Sequence, residues 1–374
     1  MRGAPATIAV DLRALVPEAT GIGVYTRELL AALAARPGAP RYLGMAHRTS
    51  PGVGALADDG VDVEIQRAPL GSLWQQLHLP RRLARGDVDL LFSPIFTLPL
   101  ACPVPGVVTV PDLTVYEVGA HHTLKVRLSI RFFLRRSLRR ARRVIVISES
   151  TRSDLLDRYP WCAGKTEVIY PGVASRFRPA GVDAVAAIRA AEGAPGGYLL
   201  YVGTMEPRKN VDRLLAAWAR LRRADPAFPP LLIAGAAGWH SDHTRSEIER
   251  LAPLGVRHLG RVDDARLLRL YQGALAFAYP SLYEGFGLPV AEALACGVPT
   301  LTSNRSSLPE VAGDAALTVD PGNEEEIAEG LKRLVGDEGW RRELAAKGVE
   351  RAKGFSWEKA AGETEAVFRE VLGR

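Results

Sequence analysis

The sequence predicts an α/β protein with two doubly wound, mostly parallel sheets. Three observations carry that expectation. Apolar runs of strand length alternate with segments of helical periodicity along the whole chain. The alternation pauses at VIYPGVASRFRPAG, whose Pro, Gly, Ser and Arg content reads as a linker, and restarts at YLLYV. The chain has 374 residues, room for two or three domains of ordinary size. The expected lobes are residues 1–177 and 178–356.

Composition narrows the class. Apolar residues make up 47% and charged residues 24%, ordinary for a globular chain with sizeable cores. The net charge of +6 permits anionic partners and identifies none. Cys102, Cys162 and Cys296 are odd in number and lack metal-ligand spacing, which fits a reducing cytoplasm. The N-terminal apolar run is too short for a signal peptide and leads into a strand. No run approaches the ~18 apolar residues of a membrane span. The expected location is cytoplasmic, with room for peripheral contact at the inner face of a membrane.

In the first lobe, strands are expected at Thr7–Leu12, Tyr42–Ala46, Val61–Ile65, Val88–Phe92 and Val107–Val110. After the first comes TGIGVYTRELLAAL, a glycine turn feeding a helix. Gly21 and Gly23 are too few for a dinucleotide fingerprint. The residues alone leave open a plain connection or a loop facing a ligand. Asp87-Val88-Asp89 has the D-x-D form of metal-dependent sugar-nucleotide sites, but it opens a strand where a metal site would end one, so it reads as chance. Pro111 and Asp112 stand at a strand end, where ligands are met. HHTLKVRLSIRFFLRRSLRRARR then gives a helix with Val126, Ile130, Phe133, Leu134, Leu138 and Ala141 inward. Arg127, Arg131, Arg135, Arg139 and Arg142 form a stripe on another face. It is either a solvated face or a surface for anionic lipid or a charged acceptor. Nucleic acid is disfavoured, because no aromatic platform accompanies the charge. Ser148 is placed to cap the helix ESTRSDLLDRY.

In the second lobe, the strand at Tyr198–Val202 runs into GTMEPRKNVDRLLAAW. Arg208 and Lys209 therefore stand at a strand-to-helix turn. Two solvated loop cations are the common fate of such a pair, and neutralising a diphosphate is the other. LLIAG, VRHLGRVDD and LAFAYPS continue the alternation and deliver YEGFGLPVAEALACGVP. There Glu284 sits on a loop and Glu292 within a helix that starts near Pro289 and stops near Gly297. Between them lie Phe286, Gly287 and Leu288. Glycines let a ligand approach the backbone, and a helix start attracts anions. Carboxylates on either side accept hydroxyl hydrogen bonds. Phosphate between two hydroxyl-bearing ends describes a nucleotide sugar. Two glutamates eight apart mean nothing by themselves; their setting in E-G-F-G-L-P-x-x-E-A-x-A-x-G-x-P is specific.

That string, with G-T-x-E-P-R-K-N from Gly203, resembles the retaining glycosyltransferases of the large group 1, or GT4-type, family, on the branch that includes bacterial polysaccharide mannosyltransferases. The resemblance covers nearly the whole chain. It implies the two-lobed GT-B fold, with Rossmann-like lobes facing a central cleft and a C-terminal helix, 357–374, that returns to the first lobe. It implies a hexosyltransferase using a nucleotide-diphosphate sugar, GDP-mannose first, with UDP-glucose or UDP-N-acetylglucosamine as alternatives. The acceptor would be a glycan or lipid-linked hydroxyl, and no metal or other cofactor is required. Glu284 would contact the donor sugar and Glu292 the ribose. Arg208 and Lys209 would stabilise the departing diphosphate. Gly21, Gly23, Gly203 and Val262 would border the donor, and Asp112 and His121 the acceptor side. The chain departs from the family at Pro111, where H-D-L usually stands. A nucleotide-sugar-binding subunit, an epimerase and a phosphorylase of the same fold are the rival readings.

Overall fold

The computed structural model describes residues 6–16, 21–117 and 124–373, without the side chains of Val115, Glu117 and residues 124–127. The chain divides into two compact units, Met1–Gly172 with Ser356–Arg374, and Val173–Phe355.

The first unit is built on seven strands: β1 (Thr7–Asp11), β2 (Arg41–Ala46), β3 (Asp62–Ile65), β4 (Leu90–Ser93), β5 (Gly106–Val110), β6 (Arg143–Val146) and β7 (Thr166–Val168). Their spatial order is β3-β2-β1-β4-β5-β6-β7, and every pair is parallel. Helices must cover both faces of such a sheet, which is why β4 and β5 are buried along their whole length. The order reverses between β1 and β4, the switch point at which ligands meet an open α/β sheet.

The last helix, Trp357–Leu372, completes this unit. Phe368 meets Phe92 of β4 edge-on, with ring centroids 5.1 Å apart. Trp357 lies 6.0 Å from Tyr25 of the helix Gly21–Ala34. Gly172 has to be glycine, since a Cβ there would stand 2.1 Å from the Trp357 nitrogen.

The second unit carries six strands: β8 (Leu199–Val202), β9 (Leu231–Ala234), β10 (Val256–Gly260), β11 (Ala276–Tyr279), β12 (Thr300–Ser303) and β13 (Leu317–Val319). They are again all parallel, in the order β10-β9-β8-β11-β12-β13. The reversal lies between β8 and β11. The helix Val211–Ala224 buries Leu214, Leu215 and Trp218 as its periodicity predicts.

Three details differ from the sequence reading. The fourth strand begins at Leu90, so Asp87 and Asp89 precede it. Asp87 is held by Arg82 at 2.7 and 2.9 Å, and Asp89 accepts from the Thr7 N–H at 2.8 Å. Both carboxylates are therefore spent on structure. The arginine-rich helix spans Leu124–Arg140, which leaves Arg142 beyond its end. Arg131 does not join an outward stripe: it is half-buried, with its guanidinium 4.5 Å from the Tyr116 ring centroid. Ser148 caps the helix Glu149–Arg158 as expected, accepting from the Thr151 N–H at 3.0 Å.

Candidate active site

The turn after β8 and the turn after β11 meet at the switch point of the second unit. Asn210 takes a left-handed conformation, φ 60°, between the turn Pro207–Lys209 and the helix Val211–Ala224. Its amide donates to the carbonyls of Pro280 and Pro321, at 2.9 and 2.7 Å. The Ser281 hydroxyl and the Leu282 N–H both donate to the Arg208 carbonyl. These bonds fix Arg208 and Lys209 against the loop that carries Glu284.

Glu284 is the centre of the arrangement. Its Oε1 accepts from Lys209 Nζ at 2.6 Å, Ser281 Oγ at 2.7 Å and the Tyr279 hydroxyl at 2.8 Å. Its Oε2 accepts from Arg208 Nη1 at 3.0 Å. Lys209 also donates to the Tyr279 hydroxyl at 2.5 Å, and Arg208 Nε to Glu206 at 2.9 Å. Glu284 and Lys209 are both buried. Burial raises the carboxyl's pKa, but the Lys209 and Arg208 charges and the hydrogen bonds outweigh it and bring it down to about 2. Burial lowers the Lys209 pKa and Glu284 opposes that. Glu284 thus holds two cations, and Glu206 shares Arg208, which leaves the cluster balanced in formal charge.

The Glu284 loop is clamped from β12. Ser306 Oγ donates to the Glu284 carbonyl, and Ser307 Oγ to the Glu284 and Phe286 carbonyls at 3.0 and 2.8 Å. Gly287 opens the helix Leu288–Ala295 at φ 108°, and a Cβ there would press Leu308 at 2.6 Å. Among the described residues no side chain caps that helix, so its first N–H groups suit an anion. Glu292 is half-buried on it, and the buried Tyr271 hydroxyl donates to its Oε2 at 3.0 Å. Phe286 is buried 5.3 Å from the Phe355 ring, and Leu288 is half-buried.

Gly203 directly follows β8 beside Gly235, where a Cβ would stand 2.0 Å from the Gly203 carbonyl oxygen. This close backbone approach shapes the carboxyl edge of the sheet. Val262 is half-buried just beyond β10.

The remaining expected residues lie in the first unit. Gly21 and Gly23 form the first turn of the helix Gly21–Ala34, Gly21 exposed and Gly23 buried. Asp112 accepts from the Thr114 N–H at 3.0 Å, which makes its carboxylate part of its own turn. His121 and His122 lie outside the described residues. Sequence reasoning missed a second polar cluster there. Asp11, wholly buried at the end of β1, accepts from Arg13 Nε at 3.0 and 2.9 Å and from Nη2 at 2.7 Å. Arg13 Nη2 donates on to Thr97 Oγ1 at 2.8 Å, and Gln75 joins Asp11 to Thr97. The only signal was a D-x-R at a strand end.

Comparison with known proteins bears on the chemistry. The family described as "Glycosyl transferases group 1" matches residues 187–354, and "Glycosyltransferase Family 4" matches residues 19–177. O-antigen chain mannosyltransferase B of Escherichia coli is 34% identical over 311 residues, 82% of this chain and 81% of that protein. A D-inositol 3-phosphate glycosyltransferase of Streptomyces bingchenggensis is 33% identical over 62% of this chain and 53% of its own length. Among solved structures, Anabaena HepE in complex with UDP and glucose has a TM-score of 0.79 at 18% identity, covering 97% of this chain and 99% of that one. Sucrose-phosphate synthase of Thermosynechococcus elongatus has 0.77 at 23%, covering 98% and 99%. At such identities they attest the fold, two Rossmann-like units of the GT-B type. The chain belongs to the glycosyltransferase group 1 and family 4 enzymes and is a glycosyltransferase with a mannosyltransferase relative.

Proposed function

We propose that the chain is a retaining hexosyltransferase that moves mannose from GDP-mannose to a hydroxyl of a glycan or glycolipid, without a metal. The observation that carries this reading is the buried Lys209–Glu284–Arg208 cluster at the β8/β11 switch point. Its two cations and the uncapped helix start would take the charge of a nucleoside diphosphate as it leaves. The mannosyltransferase relative supports the donor sugar. The bond between the sugar's anomeric carbon and the phosphate oxygen breaks as the acceptor oxygen bonds to the same face. The acceptor proton passes to the leaving phosphate. Glu284 anchors both cations first and meets the donor hydroxyls from its Oε2 side. Tyr271 orients Glu292 toward the ribose hydroxyls. The three cysteines are free and buried, which suits a cytoplasmic site of action.

A uridine donor is the second reading, because the fold relative HepE was solved with UDP-glucose. Melting scans with GDP, UDP and their sugars decide between them, since a ligand stabilises in step with its binding free energy. Transfer from GDP-mannose in EDTA, with an α-linked product, is the expected result. Loss of transfer in EDTA with recovery on adding manganese would overturn metal independence. A β-linked product would overturn retention.

A further inference from the structure

The second unit has a cavity that the candidate active site does not use. It measures about 400 Å³ and lies at the opposite edge of the sheet from Glu284. Its walls are the turns that enter three neighbouring strands: residues 193–197 before β8, Pro229 and Pro230 before β9, and Gly255 before β10. The strands are parallel, so these turns share the amino edge. A volume of this size falls in the range of small-molecule sites, roughly 300–1,000 Å³.

Two arginines in its wall are fixed by main-chain carbonyls. Arg222 donates from Nε to the Leu254 carbonyl at 2.8 Å and from Nη1 to the Phe228 carbonyl. Arg257 donates from Nη2 to the Glu192 carbonyl. A third guanidinium, that of Arg189, stands against Gly197 and donates to the Gly273 carbonyl at 2.9 Å. A carbonyl orients a guanidinium but does not cancel its charge. Among the described residues no carboxylate pairs with any of the three, and none lines the cavity. Glu192 turns its carboxylate to Arg266, and Asp225 turns its own to the Ala227 N–H at 2.9 Å. The remaining nitrogens open past glycine. A Cβ at Gly255 would stand 3.7 Å from Arg222 Nη2, and one at Gly193 3.8 Å from Arg257 Nη1. Both glycines have positive φ, 112° and 63°, so the turns themselves keep this wall bare.

We propose that this cavity binds a phosphoryl dianion, either free phosphate or the phosphate of a small sugar phosphate. Three uncompensated guanidiniums around one loop repel one another, and a dianion among them relieves that repulsion. The planar forks of Arg222 and Arg257 suit phosphate oxygens. The cavity exceeds what a bare phosphate fills, so a sugar phosphate fits it better. The length of β8 separates this site from the Lys209–Glu284 cluster: residues 193–197 precede the strand, and Gly203 follows it. The ligand is therefore a second one, held together with the sugar donor and not in its place.

The test is isothermal titration of inorganic phosphate, mannose 6-phosphate and mannose into the full chain, without and with excess GDP. Both phosphates should bind, mannose should not, and GDP should leave the binding unchanged. Tighter binding of mannose 6-phosphate assigns the cavity to the ester, and equal binding assigns it to free phosphate. Ala227→Glu puts a carboxylate at an exposed position of the cavity lining and leaves both arginines on their carbonyls. It should weaken phosphate binding at least about tenfold, the worth of a charged hydrogen bond. Arg257→Gln should weaken it comparably, and Lys209→Met should bind phosphate like the parent. Each variant is checked for folding by its melting and its response to GDP and UDP. Those readouts also separate a failure of this site from a failure of the nucleotide-sugar reading. Neither heat nor a rise in melting temperature from either phosphate, or undiminished binding by Ala227→Glu, would overturn the proposal. Displacement by GDP, or loss of phosphate binding in Lys209→Met, would place the anion in the donor site and overturn it as well.

Discussion

The two sheets share one strand order and differ in what they place where it reverses. At the first switch point a buried carboxylate, Asp11, holds one cation, Arg13, and Gln75 and Thr97 complete a closed hydrogen-bonded set. At the second, a buried carboxylate, Glu284, holds two cations, Lys209 and Arg208. Both clusters are balanced in formal charge, since Glu206 also pairs with Arg208, but the second gathers two cations against the loop that leads into the uncapped helix Leu288–Ala295. Identical topology therefore gives one cation, tied among hydroxyl and amide groups, at the first edge and two cations with an uncapped helix start at the second. On the proposed reading, the second edge is the one that takes a nucleoside diphosphate.

The largest effect should come from Lys209→Met. Removing one partner of a buried pair leaves Glu284 with Arg208 as its one cation and should cost about 3 kcal/mol of stability. Calorimetric melting should show that loss, with transfer falling to near background. A melting temperature like the parent's would mean that the pair is not coupled. Next comes Glu284→Gln. Because four donors meet this carboxylate, the change should loosen both cations and weaken nucleoside diphosphate binding together with turnover, by about 1.5–3 kcal/mol. A turnover loss with unchanged nucleotide affinity would instead make Glu284 a sugar contact alone.

The same carboxylate predicts a pH dependence. Its folded pKa stands at about 2 against an ordinary 4.5. A depressed carboxylate stabilises the fold fully above the unfolded value, and that stability is lost as pH falls from about 5 through 2. Glu284→Gln should flatten this acid limb in urea-unfolding midpoints. If it does not, the limb belongs to other carboxylates. Asp11→Asn should cost less, about 1–3 kcal/mol, and leave the nucleotide-induced rise in melting temperature unchanged.

Much of this contrast was readable in the sequence, unevenly. The alternation of runs gave both sheets, because parallel strands buried on two faces must be apolar throughout. The second cluster was visible because Arg208, Lys209 and Glu284 sit in dense local strings. Its wiring was not, since Tyr279 read as a strand residue and Ser306 and Ser307 as loop. The first cluster was invisible because Gln75 and Thr97 reach Asp11 and Arg13 from 64 and 84 residues away, and none is unusual alone. The arginine stripe misled through its spacing of four, which hid that Arg131 turns inward onto Tyr116.

The smallest effect concerns Pro111, half-buried just beyond β5, which can neither donate nor accept a proton through its side chain. If the leaving phosphate takes the acceptor proton, Pro111→His should change the transfer rate by less than about tenfold. A silent parent that gains activity from the histidine would make this chain a binding subunit.

The most direct measurement is isothermal titration of GDP and UDP into the parent, Lys209→Met and Arg13→Met. The contrast between the switch points predicts that Lys209→Met binds at least about tenfold more weakly, the worth of a charged hydrogen bond, while Arg13→Met binds like the parent. Undiminished binding by Lys209→Met, or loss of binding by Arg13→Met alone, would contradict it.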